Sequence, residues 1–312
     1  MALHPESQRL LDALKQAGVH AYEEQTVPRA RMSGREGLVA LQGEAVEMAA
    51  VINRTVPGPA GEIPVRIYNP GGGRPLPVVV YFHGGGWVLG DLDVPDRPLR
   101  VLAKAAEAIV VSVDYRLAPE HRYPAAFDDS YAATAWVAEH AAEIGGIPGQ
   151  IAVSGDSAGG NLAAAVALAA RDRGGPAISA QLLIYPIVDF NFDTPSYREN
   201  AEGYVLTKPN MIWFWAHYLG AQDVGDDPYV CPMRARSFAD LPPAYVATAE
   251  YDPLRDEGEA YAARLRDAGV DVTARRFDGM LHGFFWAMAA NPSAAGIVDD
   301  MVEVLRASWA EG

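Results

Sequence analysis

The sequence predicts an α/β fold, a mostly parallel central sheet flanked by helices, and two observations carry the prediction. Short, nearly continuous apolar runs recur at residues 78–82, 109–113, 151–153, 181–185 and 244–249, the pattern of strands buried on both faces. Between most of them lie segments of helical composition, residues 99–108, 125–143, 160–173 and 254–268, long enough for the crossovers that parallel strands require.

In chain order, residues 1–18 read as an amphipathic helix with Leu10, Leu11 and Leu14 on one side. Residues 46–56 and 63–69 read as strands on either side of a Pro- and Gly-containing turn, which makes an opening hairpin before the parallel run begins. From 189 to 227 no sheet strand is evident, yet Trp213, Phe214, Trp215 and Tyr218 cluster there, and the segment is too long for a simple loop. Together with residues 1–45 it is expected to form a helical cap over the carboxyl edge of the sheet, where open α/β sheets bind ligands. Its aromatics either fill the cap's own core or wall an apolar pocket. The core is then divided between residues 46–188 and 228–312, with a last strand expected at 272–277.

Composition narrows the function. Of 312 residues, 50% are hydrophobic and 21% charged, which suits one large buried core with an insertion. A net charge of −15 repels phosphate backbones and anionic headgroups, so nucleic acid is excluded as a partner. The longest apolar run, residues 162–170, is far short of the roughly 20 needed to span a bilayer, so no stable membrane insertion is expected. The start lacks the basic and then apolar regions of a signal peptide. Cys231 is the only cysteine, so no intramolecular disulfide forms and a cytoplasmic protein is expected. Cys231 has no Cys or His at ligand spacing and HExxH is absent, so no metal site is expected.

The chemistry concentrates at Gly155-Asp156-Ser157-Ala158-Gly159-Gly160, which follows a strand and opens an Ala- and Leu-rich helix. In such an elbow strained backbone exposes the serine hydroxyl, and the glycines two positions either side remove side chains that would crowd the turn. Ser157 is the expected nucleophile. A serine at neutral pH needs a base and a group to orient that base. Asp252, in Tyr251-Asp252-Pro253-Leu254, stands where a strand ends and a helix begins, although Asp before Pro is also a favoured helix cap. Glu250 and Asp256 flank it but are less well placed. His282 lies in an expected flexible loop after residues 272–277 and comes last, so Ser157, Asp252, His282 follow the nucleophile, acid, histidine order of one class of serine hydrolase. A neutral imidazole is required of the base, so activity should fall as pH drops through the ordinary imidazole range, roughly 6 to 7. His4, His20, His121, His140 and His217 have no partner motif.

Donors for a developing oxyanion are expected from His83-Gly84-Gly85-Gly86-Trp87, directly after the strand at 78–82. Gly84 and Gly85 are expected to turn their N–H groups inward, with Ala158 adding the amide beside the nucleophile. A phosphate cradle is disfavoured because no Lys-Ser/Thr follows and the spacing is not GxGxxG. Trp87 and Tyr185 lie beside these loops in sequence and are expected to line the substrate pocket, with core packing the alternative for Tyr185.

HGGGW, Tyr115-Arg116-Leu117-Ala118-Pro119-Glu120, GDSAGG, Tyr251-Asp252-Pro253-Leu254-Arg255-Asp256-Glu257 and Leu281-His282-Gly283-Phe284 together resemble the bacterial hormone-sensitive-lipase family of carboxylesterases, over roughly residues 75–285. The resemblance implies the α/β-hydrolase fold, a helical cap, no cofactor, and a small-molecule ester of short to medium acyl chain as substrate. It also implies Ser157 as nucleophile, His282 as base, Asp252 as orienting acid and Gly84, Gly85 and Ala158 as oxyanion donors. Asp156 matches the GDSAG branch of the family. A homodimer through an edge strand, amidase or acyltransferase chemistry on the same triad, and a receptor-like role without catalysis stay open. Similar receptors lack the histidine, which His282 supplies here.

Overall fold

Alternation along each central strand decides which helices cover the sheet. In the computed structural model of the protein, which describes residues 2–16 and 20–310, the elements run α1 (Pro5–Gln16), α2 (Val27–Gln42), β1 (Ala50–Gly58), β2 (Gly61–Asn69), β3 (Leu76–Phe82), α3 (Asp96–Ala106), β4 (Ile109–Val113) and α4 (Ala125–His140). They continue as β5 (Gly146–Asp156), α5 (Ala158–Arg173), β6 (Ala180–Ile184), α6 (Pro195–Glu199), α7 (Lys208–Leu219), β7 (Ala244–Tyr251), α8 (Arg255–Asp267), β8 (Val272–Leu281) and α9 (Ala295–Ala310). Val78, Val80 and Phe82 of β3 pack in one core with Phe127 of α4, Leu162 and Val166 of α5 and Leu265 of α8. Val79 and Tyr81, one residue out of phase, pack in the other with Leu99 of α3 and Ile297 and Met301 of α9. The sheet is therefore the middle of three layers.

Its eight strands lie in the order β1-β2-β4-β3-β5-β6-β7-β8. The hairpin β1–β2 is antiparallel and β2 runs antiparallel to β4, while β4 to β8 and β3 pair in parallel. This is the expected opening hairpin followed by a parallel sheet with helical crossovers.

Two elements differ from the sequence reading. The C-terminal helix α9 was not anticipated, and it covers the face that α3 shares. Strand β8 continues through Asp278-Gly279 to Leu281, beyond the expected end at 277. Gly279, at φ +73°, gives its N–H to the Glu250 carboxylate at 2.7 Å, close to where the pairing with β7 shifts register. Gly279 marks an irregularity inside a longer strand, so the stretch expected as a loop is strand to Leu281 and His282 follows the strand end at once.

Of the helix expected over residues 1–18, residues 1, 17 and 18 lie outside the described residues; in α1, Leu10 and Leu11 are buried against Leu281, the neighbour of His282. Residues 2–16, 20–45 and 189–227 contribute α1, α2, α6 and α7, and no strand among the described residues. Helix α2 is fixed by Arg31, which donates to the carbonyls of Val88 and Ala118, each at 2.8 Å, and forms a two-pronged pair with Glu120. Helix α7 opens with a reciprocal Thr207–Asn210 capping box and sends Phe214, Trp215 and Tyr218 into the core.

Candidate active site

The elbow is built by close backbone approach. Strand β5 ends at Asp156, α5 begins at Ala158, and Ser157 between them sits at φ +55°, ψ −117°, a strained conformation for a residue with a side chain. A Cβ on Gly159 would stand 1.9 Å from the Phe82 carbonyl oxygen, and one on Gly155 would stand 2.2 Å from that of Gly159. Glycine is required at both positions. The Ser157 N–H is anchored to the Ile184 carbonyl at 2.9 Å, which leaves the side chain facing the end of the sheet.

There the structure brings together the three residues that the sequence singled out. Ser157 Oγ lies 3.0 Å from His282 Nε2, and His282 Nδ1 lies 2.6 Å from Asp252 Oδ2. Asp252 immediately follows β7 and is fully buried, while Ser157 is 5% and His282 6% exposed. Asp252 does not cap α8, whose N-cap is Leu254 and carries no side-chain cap bond; it forms a turn that leads into the helix. Its Oδ1 accepts the Leu254 N–H at 2.9 Å, just before α8, while Oδ2 faces the imidazole. Residues of α6 and its end brace this turn: Asn200 Nδ2 donates to the Asp252 carbonyl at 3.3 Å and Ser196 Oγ to that of Pro253 at 2.6 Å.

The glycine loop corrects one expectation. Gly84 does not offer its N–H to the open site; it donates it to Asp156 Oδ1 at 2.9 Å. The N–H groups of Gly85, Gly86 and Ala158 find no acceptor among the described residues. The Gly84 carbonyl accepts from His83 Nδ1 at 2.7 Å, and because a trans peptide points its C=O and N–H in opposite directions, the Gly85 N–H faces away from His83. The Gly85 carbonyl accepts from Val88 and Leu89 at 3.1 and 2.8 Å, which likewise turns the Gly86 N–H away from that turn.

Trp87 is placed differently from expectation as well. At φ +59° its ring turns away from the site and is fully buried, stacked on Tyr218 at 4.1 Å and tilted against Trp215 at 4.6 Å. It supports the loop from behind and has no surface to offer a ligand. Tyr185, at φ +35°, is also buried; its ring packs on the His282 imidazole at 4.5 Å. Phe214, not singled out as a site residue, lies directly on the loop, since a Cβ on Gly86 would stand 2.2 Å from its ring.

Burial sets the local electrostatics. The Asp156 carboxyl is pushed up to about 6 by burial, against the opposing pull of Tyr81, the Gly84 N–H, His282 and Trp286. Burial lowers His83 below the ordinary imidazole value, which keeps it neutral, with Nδ1 protonated as the donor to Gly84. The Tyr185 phenol is driven well above its usual range by the same cause. Among the described residues no cluster of three or more His, Cys, Asp or Glu side chains could hold a metal, and no helix is long and apolar enough to cross a membrane.

Residues 79–286 match a family described as alpha/beta hydrolase fold. Carboxylic ester hydrolase LipN of Mycobacterium tuberculosis is 45% identical over 263 residues, 82% of this chain and 70% of that protein. Carboxylesterase NlhH of the same organism is 50% identical over 238 residues, 75% of each chain. Among solved structures, the hyperthermophilic esterase of the archaeon Pyrobaculum calidifontis superposes with a TM-score of 0.91 at 40% identity, covering 98% of this chain and 99% of that one.

Proposed function

This chain belongs to the α/β-hydrolase fold family and is a carboxylesterase of its bacterial hormone-sensitive-lipase branch, and from that premise we propose how its own residues carry the reaction. Ser157 Oγ attacks the ester carbonyl carbon while His282 Nε2 takes the hydroxyl proton. Asp252 Oδ2 holds the Nδ1–H, which fixes the tautomer and stabilises the imidazolium. The carbonyl oxygen, now negative, is received by the N–H groups of Gly85, Gly86 and Ala158. Collapse expels the alcohol, protonated by His282, and leaves Ser157 acylated. Water, deprotonated by the same imidazole, then releases the carboxylic acid.

The observation that supports this reading is the continuous hydrogen-bonded chain from Ser157 Oγ through His282 to Asp252. The substrate is a small-molecule ester, of short to medium acyl chain in this proposal. Residues 2–16, 20–45 and 189–227 act as a cap that shapes the acyl site, with Phe214 as its nearest approach to the glycine loop. A homodimer would form through an edge strand, β1 or β8, and a cytoplasmic setting suits the single buried cysteine.

The test is Ser157→Ala. It should abolish hydrolysis of p-nitrophenyl butyrate while the circular-dichroism spectrum stays that of the parent, and retained turnover would refute the assignment. A series of p-nitrophenyl esters of increasing chain length reads the acyl range directly.

A further inference from the structure

We infer that Asp156 is a positioning residue for the oxyanion loop: by accepting the Gly84 N–H on Oδ1, it fixes the peptide plane from which the Gly85 and Gly86 amides take their direction. This deepens the mechanism proposed above and rests on it. In the sequence this aspartate marks only the GDSAG branch, and a GxSxG elbow needs no carboxylate there to form its turn.

The geometry is specific. The peptide between His83 and Gly84 is held at both ends, its carbonyl accepting from the Tyr115 hydroxyl at 2.7 Å and its N–H donating to Asp156 at 2.9 Å. The next peptide is held at its carbonyl alone, by His83 Nδ1 at 2.7 Å, so its N–H, that of Gly85, is left for a ligand. Asp156 is itself fixed. Tyr81 donates its hydroxyl to Oδ1 at 2.5 Å, and Oδ2 is pressed against Gly84, where a Cβ would stand 2.3 Å away. The indole of Trp286 crowds the same side of Gly84, its Cζ2 falling 2.6 Å from the same point. Loop and nucleophile therefore share one anchor, since Asp156 is bonded to Ser157 and hydrogen-bonded to Gly84. Any displacement of the loop relative to the hydroxyl must break that bond.

A carboxylate accepts an N–H more strongly than its protonated or amide counterpart. The groups facing Asp156 are Tyr81 from β3, Tyr115 after β4, Tyr185 after β6 and His282 after β8, together with the Trp286 indole. Burial pushes all three phenols well up, so they stay neutral, and it pushes the Asp156 carboxyl up to about 6. Protonation of Asp156 weakens its hold on the Gly84 N–H and so loosens the loop.

The experiment compares Asp156→Ala, Asp156→Asn and Tyr81→Phe with the parent, following p-nitrophenyl butyrate hydrolysis from pH 5 to 9 and checking each fold by circular dichroism. Asp156→Ala should lower kcat about 100-fold at pH 8 with KM within about twofold, because a misdirected donor is felt by the oxyanion far more than by the ground-state carbonyl. Asp156→Asn, which keeps an acceptor but no charge, should recover at least about tenfold of that loss, and its acid limb should be less steep than the parent's because the Asp156 proton no longer contributes. Tyr81→Phe, by removing a bond to the carboxylate, should move the parent's acid limb to higher pH. A folded Asp156→Ala within about threefold of the parent overturns the inference. Should the alanine variant not fold, an Asn variant with the parent's kcat and unchanged acid slope overturns it instead. Turnover by Ser157→Ala would sink the underlying mechanism, whereas an inactive Ser157→Ala beside a fully active Asp156→Ala sinks this inference alone.

Discussion

Replacing Asp252 by asparagine changes one oxygen for an NH₂ group, and the structure says which way that amide must face. The Leu254 N–H points at Oδ1 from 2.9 Å in a fully buried turn, so the asparagine oxygen must occupy that site to satisfy it. The NH₂ group then faces His282 Nδ1, at the position of an oxygen now 2.6 Å away. Nδ1 has to become an acceptor, the proton moves to Nε2, and Nε2 can no longer take the proton of Ser157. Flipping the amide would restore the tautomer but set NH₂ against the Leu254 N–H, at a cost of about 1–3 kcal/mol for a buried unsatisfied donor. Even the flipped form lacks the negative charge that stabilises the imidazolium, a further loss of roughly 2 kcal/mol. Together these amount to about 3–5 kcal/mol, or a fall in kcat between about 10² and 10⁴, the upper end being what the same change costs in other serine triads. Because Asp252→Ala imposes no tautomer, it should be no slower than the asparagine variant. Initial rates on p-nitrophenyl butyrate at pH 8, with the fold checked by circular dichroism, decide the matter. An asparagine variant within tenfold of the parent would show that Leu254 does not orient the side chain.

Two further expectations concern stability. Gly159→Ala places a methyl group 1.9 Å from the Phe82 carbonyl, a backbone atom that cannot swing aside, so the variant should lose more than about 3 kcal/mol or fail to fold, whereas an urea midpoint equal to the parent's would contradict the packing. Glu257 is buried on α8, its Oε1 accepting the Val188 N–H at 2.8 Å while Oε2 has no partner among the described residues, and burial drives its carboxyl well above the usual range. A folded-state value above the unfolded one means that the native state binds the extra proton, so the parent loses stability as pH rises from about 4.3, the ordinary carboxyl value, toward the folded value. Glu257→Gln keeps the acceptor and carries no charge; its melting temperature should gain on the parent between pH 4.5 and pH 8, by ~2–4 °C for each kcal/mol relieved. A gap that stays constant across that range would show that Glu257 is ionised throughout.

The strands were legible because burial on both faces leaves an apolar run that little else in a sequence imitates, as in Val78, Val79 and Val80. Helix α9 carries Ile297, Val298, Met301, Val302 and Leu305 at helical spacing, but it follows no crossover, so the rhythm of strand and helix that located the others gave no cue for it. The end of β8 was not legible for a local reason: Asp278-Gly279 is turn chemistry, and only the pairing of β8 with β7 shows that a strand can absorb it. The elbow and the three side chains at the strand ends were readable because each depends on local backbone form. The direction of a peptide among three successive glycines was not. It is decided by Asp156, Tyr115 and His83, and no spacing within HGGGW encodes those contacts. Trp87 shows the same limit, since proximity in sequence to the loop says nothing of a ring that φ +59° sends into α7.

Sheet register explains why residues so distant in sequence meet. Tyr251 pairs with Leu281, so Asp252 and His282 each leave their strand one residue later, from parallel neighbours whose spacing is about 4.8 Å. The acid and the base are thus adjacent by construction. Ser157 follows β5, three strands from β8, and no register brings it to the histidine. That distance is closed by the loop after β8, which turns at Gly283, φ +80°, and lays the imidazole on the Tyr185 ring at the end of β6, the strand between β5 and β7. Register fixes the acid–base half of the relay, and a loop carried on a buried tyrosine fixes the half that touches the nucleophile. Disorder in the 3.0 Å contact between Ser157 and His282 should therefore arise from changes at Tyr185 or Gly283 sooner than from changes in the strands.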